Sequence, residues 1–173
     1  MTHADEHIRD RQIEVISYLL DNPAKSHSTS TISGIVSDGL QCQVTQGPFE
    51  VAMDMSKAMG GDATAPSPGF FAKAGLVGCI AIATKMTAAR EGLSVRSVHV
   101  EVETDTDTLA IFGKGGGNAA PLDTRIKIKI DSDLPDREID ALIDRVLAID
   151  TWFLALRDAQ SVKVHWERQA KAA

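Results

Sequence analysis

The segment over residues 68–91 constrains this chain more than any other part of it. It is rich in Ala, Leu, Ile and Met, which suit a helix. Gly92 stands where a left-handed residue closes such a helix, and Arg90 sits in the last turn, where the helix dipole favours a cation. Phe71, Leu76, Val77, Ile80, Ile82 and Met86 point in several directions around it. A helix that is apolar nearly all round must be buried on most of its faces. One chain of 173 residues offers a single curved sheet and one or two further helices as cover. Ala74, Gly75 and Gly78 leave a flat strip where another backbone can approach closely. A homodimer with this helix in its interface is the simplest expectation; complete cover within one chain is the alternative.

The rest of the pattern places strands and helices around that segment. Residues 5–20 put Ile8, Ile13, Ile16 and Leu20 roughly on one stripe and stop at Asn22-Pro23, which reads as a helix. After a linker over 24–29 come three strand-like runs. Residues 29–37 end at the turn Ser37-Asp38-Gly39; residues 40–45 alternate; residues 49–55 keep a period of two after Gln46-Gly47-Pro48. This is an antiparallel meander. Beyond Gly92, residues 93–104 and 122–130 alternate as strands, and 109–112 suggests a third short one. Ser132 or Asp133 is placed to cap a helix carrying Ile139, Leu142, Ile143, Val146 and Leu147, with Pro135 just inside it. Residues 151–157 continue as helix, and 161–166 read as a last short strand. Strands grouped antiparallel around helices indicate α+β.

Composition removes several classes of function. With 43% apolar residues the chain can bury a core. The net charge of −6 and scattered Lys and Arg argue against nucleic acid, which needs a basic face. The N-terminus MTHADEHIRDRQ has no apolar core, so no signal peptide is read there. The most apolar run, between Lys73 and Lys85, holds eleven residues, short for a bilayer crossing. Cys42 and Cys79 form neither a disulfide framework nor a zinc pattern, and a reduced, cytoplasmic protein is expected. The five histidines share no metal spacing, and Gly113 to Gly117 lack the Lys and Ser/Thr of a phosphate loop. No metal or cofactor is expected.

Gly60-Gly61-Asp62-Ala63-Thr64-Ala65-Pro66-Ser67-Pro68, followed by Ala72 and Gly75-Leu76-Val77-Gly78-Cys79, resembles the OsmC/Ohr family of small stress-response proteins. The resemblance spans residues 29–167. Residues 1–28 look like an added helix and linker, and 168–173 are a polar tail. It implies an α+β, OsmC-like fold: an intertwined homodimer with antiparallel sheets wrapped around long central helices. In the family's peroxidase branches the helix cysteine attacks an organic hydroperoxide, a later cysteine resolves the sulfenic acid, and an arginine and a glutamate lower the first thiol's pKa. The resemblance carries the attacking role to Cys79. The glutamate falls at Gly69 and the arginine near Ser37. The resolving position falls at Asp150, Thr151, Trp152 or Phe153, and no cysteine follows Cys79.

Cys79 is therefore either a reactive thiol or an inert small residue in a buried helix, since free cysteine is often simply core. Cys42, beside Leu40 and Val44, reads as core packing; in a wrapped dimer it could instead replace the missing thiol. Trp152 and Phe153 either fill the peroxide site or line an apolar pocket at the dimer interface. The expected function is a one-cysteine, thiol-dependent organic hydroperoxide reductase, with Cys79 as nucleophile and an external thiol as reductant. The alternatives are a non-catalytic dimer that binds a small apolar molecule, and a structural remnant with an inert thiol. No nucleic acid or membrane partner is expected.

Overall fold

The computed structural model describes residues 2–168. Helix α1 (His3–Asp21) leads through a short 3-10 turn to a meander of β1 (Ser33–Val36), β2 (Cys42–Gln46) and β3 (Phe49–Met53). The long helix α2 (Pro68–Glu91) follows. Strand β4 (Val95–Asp105), the single turn α3 (Thr108–Ile111), β5 (Asp123–Ser132), and helices α4 (Asp136–Leu147) and α5 (Thr151–Arg157) complete it. Both sheets are antiparallel: β1-β2-β3 pairs Val36 with Cys42 and Cys42 with Met53, and β4-β5 pairs Val100 with Ile128. The expected α+β class holds.

The core lies between the β4-β5 sheet and the helices. Leu76 and Ile80 of α2 meet Val100 of β4, backed by Ile126, Ile128, Leu147 and Phe153. One end is closed by Ala88, Val95, Leu142 and Val146. Each aliphatic side chain fully buried this way contributes about 1.5–3 kcal/mol. The outer face of the same sheet is a ladder of opposite charges. Arg125 meets Glu103, Asp105 and Asp123, and Lys129 meets Glu101.

Helix α2 starts at Ser67, whose hydroxyl accepts from Phe70 N–H, and stops at Gly92, whose φ of 73° is cheap only for glycine. Its 24 residues measure about 36 Å. By length and composition the helix would suffice to cross a membrane, so the eleven-residue run read between its two lysines understates it. Here it is a core helix, packed on β4, α1, α4 and α5. On the side away from that cover, Phe70, Ala74, Gly78, Ile82 and Met86 form an i±4 ridge, with Ile82 61% exposed. The meander makes no extended contact with α2 or with the β4-β5 sheet. Its apolar face, which carries Val36, Cys42, Val44, Val51 and Met53, is only partly covered within the chain: Cys42, Val44 and Met53 are half-buried, while Val51 is exposed and Val36 is 51% exposed.

Helix α1 is pinned to α2 by polar contacts. Thr2 and Asp5 form a reciprocal capping box. Asp5 then pairs with Lys85 at 3.0 Å, and Lys85 also donates to the Val95 carbonyl. Gln12 donates to the Met86 carbonyl at 3.1 Å and accepts from Arg90 at 2.8 Å.

Four local expectations are corrected. Residues 109–112 are not a strand, because the Asp107 carboxylate accepts from Leu109 and Ala110 N–H and winds the chain into α3. Residues 161–166 are not a strand: they find no sheet edge within the chain, and Val164 is 88% exposed. Pro135 sits at the cap of α4 rather than inside it, and neither Ser132 nor Asp133 caps that helix; the Ser132 hydroxyl accepts from Leu134 N–H before the helix begins. The first strand is also shorter than read, since only Ser33–Val36 pairs with β2. Of the polar tail expected over 168–173, all but Arg168 lies outside the described residues.

Candidate functional site

The Gly-Gly-Asp-Ala-Thr stretch before α2 is organised by one buried carboxylate. Asp54, 2% exposed, accepts hydrogen bonds from Met55 N–H at 2.7 Å, Asp62 N–H at 3.2 Å, Thr64 N–H at 3.0 Å and the Thr64 hydroxyl at 2.9 Å. These donors, the Thr64 backbone first, hold the Asp54 carboxyl below the usual carboxylate range against the opposing cost of burial. A Cβ on Gly61 would stand 2.2 Å from the Met55 carbonyl oxygen, so only glycine fits there. Asp54 N–H donates to the Pro66 carbonyl at 3.1 Å, which ties the end of β3 to the residue before the Ser67 cap. The motif thus fixes where α2 begins. Nothing in the sequence singled out Asp54, because its partners are backbone N–H groups and one hydroxyl, up to ten residues away.

Cys79 stands on α2, half-buried, with a free thiol. Burial pushes the thiol up, and the charge of Asp150 pushes it further the same way. Asp150 is 4% exposed and caps α5, accepting from Phe153 N–H at 2.8 Å. The structure therefore sets an anion near the thiol from the region where the resemblance puts the resolving cysteine. The sequence had placed Asp150 there only as a departure from the family's pattern; its effect on the thiol follows from how α5 folds back on α2.

The other expected positions are scattered. Gly69 lies in the first turn of α2 and leaves open space, a Cβ there meeting nothing nearer than the Ser67 hydroxyl at 3.9 Å. Ser37 lies in the turn after β1, on the meander that stands clear of α2. Cys42 is half-buried and free; its sulfur fills the space above Gly34, 3.1 Å from where a Cβ would be. Phe153 turns inward to the Leu76 and Ile80 cluster, with the Arg157 guanidinium 5.5 Å from its ring centroid. Trp152 turns outward, is 61% exposed, and lines neither of the two cavities that Phe153 lines. Among the described residues no three His, Cys, Asp or Glu side chains gather as a metal site.

Solved structures share this architecture. An OsmC-like protein from Mycoplasma pneumoniae superposes with a TM-score of 0.65 at 16% identity, covering 75% of this chain and 88% of its own. An organic hydroperoxide resistance protein from Vibrio cholerae, with captopril bound in one of its active sites, gives 0.56 at 18% identity, covering 76% and 87%. An OsmC-like hydroperoxide resistance protein from Jannaschia gives 0.52 at 23% identity, covering 79% and 90%. At these identities the likeness concerns the fold. No curated protein matches the sequence. The OsmC-like protein family model matches residues 60–165, from the Asp54-organised loop through Cys79 to the last apolar alternation, and the chain belongs to that family.

Proposed function

We propose that this protein is a one-cysteine member of the OsmC-like family that reduces organic hydroperoxides slowly through Cys79. The observation that carries the reading is the place of Cys79: eleven residues after Pro68, on the central helix, half-buried beside the uncovered ridge. The hydroperoxide resistance proteins of similar fold make this substrate class the natural one to test. In the reaction the Cys79 thiolate attacks one peroxide oxygen, the O–O bond breaks, and the alkoxide takes a proton to leave as an alcohol. The sulfenic acid on Cys79 then condenses with an external thiol, releasing water, and a second thiol frees Cys79 as a disulfide forms elsewhere. The reaction is slow because the thiolate is the nucleophile and this thiol is held protonated. Gly69 supplies no charge, and no later cysteine resolves the intermediate.

The working assembly in this reading is a homodimer, in which a second copy covers the α2 ridge and the open face of the meander. The test of function is cumene hydroperoxide consumption with a dithiol reductant. Slow turnover that disappears in Cys79→Ser is expected. Fast multiple turnover would overturn the rate argument. Equal background rates in both proteins would favour the second reading, a dimer that binds a small apolar molecule and does not turn it over. The Asp150 charge close to Cys79 is the observation that favours that second reading.

A further inference from the structure

A cavity of about 290 Å³ opens beside the first turns of α2. Its apolar wall comes from four separate elements: Leu76 on α2, Val102 on β4, Pro121 on the connection into β5, and Leu156 on α5. Cys79 does not line it. The volume is at the small end of ligand pockets and larger than the voids a packed core tolerates. Two features at its α2 wall give it a charge preference. Gly69 stands where the resemblance puts a glutamate, so no carboxylate is present and no side chain takes up the space. One turn on, Lys73 is the only charged residue in the lining, and it joins none of the ion pairs found among the described residues.

We propose that this cavity binds a free medium-chain monocarboxylate, with its head at the Lys73 ammonium and its chain against Leu76, Val102, Pro121 and Leu156. A neutral apolar molecule would leave the lysine unused. A dianion would set one uncompensated charge against an apolar wall, which is costly. A single negative charge on an apolar body matches one cation that joins no ion pair in the lining of an apolar space, which Thr104, Thr106 and Thr124 complete. The site goes beyond the hydroperoxide reading and does not use the thiol.

The experiment is a calorimetric titration of the full-length protein with octanoate and with octanol. Saturable binding of one octanoate per chain is expected, with octanol weaker by about tenfold, the scale of one charge-assisted hydrogen bond. Lys73→Gln should weaken octanoate by a similar factor while leaving octanol unchanged, and Gly69→Glu should abolish octanoate binding. Cys79→Ser should bind octanoate as the parent does. Lys73 and Gly69 are both exposed, and the circular dichroism spectrum of each variant checks that it has folded. Absence of saturable octanoate binding, equal affinity for octanol, or indifference to Lys73→Gln would overturn the proposal. Loss of binding in Cys79→Ser would also overturn it, by moving the ligand to the thiol.

Discussion

At Cys79 two effects act in one direction. Desolvation disfavours the thiolate, and the Asp150 carboxylate repels it. The larger effect is burial, so removing the neighbouring charge lowers the thiol pKa only in part. Asp150→Asn keeps an acceptor for Phe153 N–H at the start of α5, since asparagine is as good a cap as aspartate. The variant should therefore fold and should alkylate with iodoacetamide several-fold faster than the parent at neutral pH, with its rate still rising into the alkaline range. A rate unchanged by the substitution would remove Asp150 from the account of the thiol. The site was legible in the sequence as far as Cys79 itself, because a cysteine eleven residues after Ser67-Pro68 is a local pattern. Asp150, whose charge adds to the larger effect of burial, lies 71 positions further along and was not legible as a neighbour of the thiol.

At the scale of elements, helix α1 shows how a segment outside the matched region becomes part of the molecule. Its attachment rests on polar groups more than on apolar burial, and Asp5 is its one buried residue. Hydrogen bonds from the Thr2 backbone and from Lys85 lower the Asp5 carboxyl from 3.8 to about 2. A carboxyl depressed on folding stabilises the folded form fully above its unfolded pKa, and that contribution fades as pH falls through the folded value. Helix α1 should therefore remain docked above pH 4 and loosen toward pH 2. Limited pepsin digestion across that range should cut within His3–Asp21 before it cuts α4, and Lys85→Met should move the onset to higher pH. Cleavage of α4 first, or at the same pH, would show that α1 shares the global stability of the core. The cap of α4 and the turn at α3 belong to this scale too. Asp107 lies between residues 93–104 and 109–112, both expected as strands, yet its two hydrogen bonds from backbone N–H groups decide for a helical turn over the second strand.

For the whole molecule, the single chain leaves two apolar surfaces only partly covered, the α2 ridge through Gly78 and Ile82 and the face of the meander that carries Val36 and Val51. In the homodimer proposed above these patches would form the interface, since large contiguous apolar patches are rare on monomeric proteins. Sedimentation equilibrium should report a dimer at micromolar concentration, and Ile82→Glu should shift it toward monomer by placing a charge on the ridge. A stable, fully folded monomer in the parent protein would count against the assembly. The extended segment over 161–166, with Val164 exposed, belongs to the same question, since it alternates like a strand and finds no edge within one chain.

The sequence by itself determined what depends on neighbours along the chain. Helix α2, its stop at Gly92, the alternation of Ile126, Ile128 and Ile130, and the turn between β1 and β2 are all set by local periodicity and by residues that favour one backbone region. The family followed from one such local stretch, Gly60 to Cys79. Only the tertiary structure decided what depends on charges and cavities meeting across distance. It placed Asp150 close enough to act on Cys79, gave Asp54 its backbone donors, and gathered Lys73, Leu76, Val102, Pro121 and Leu156 around one space. Periodicity reports which face of an element is apolar. Electrostatics and packing depend on which faces meet, and the order of residues along the chain does not state that.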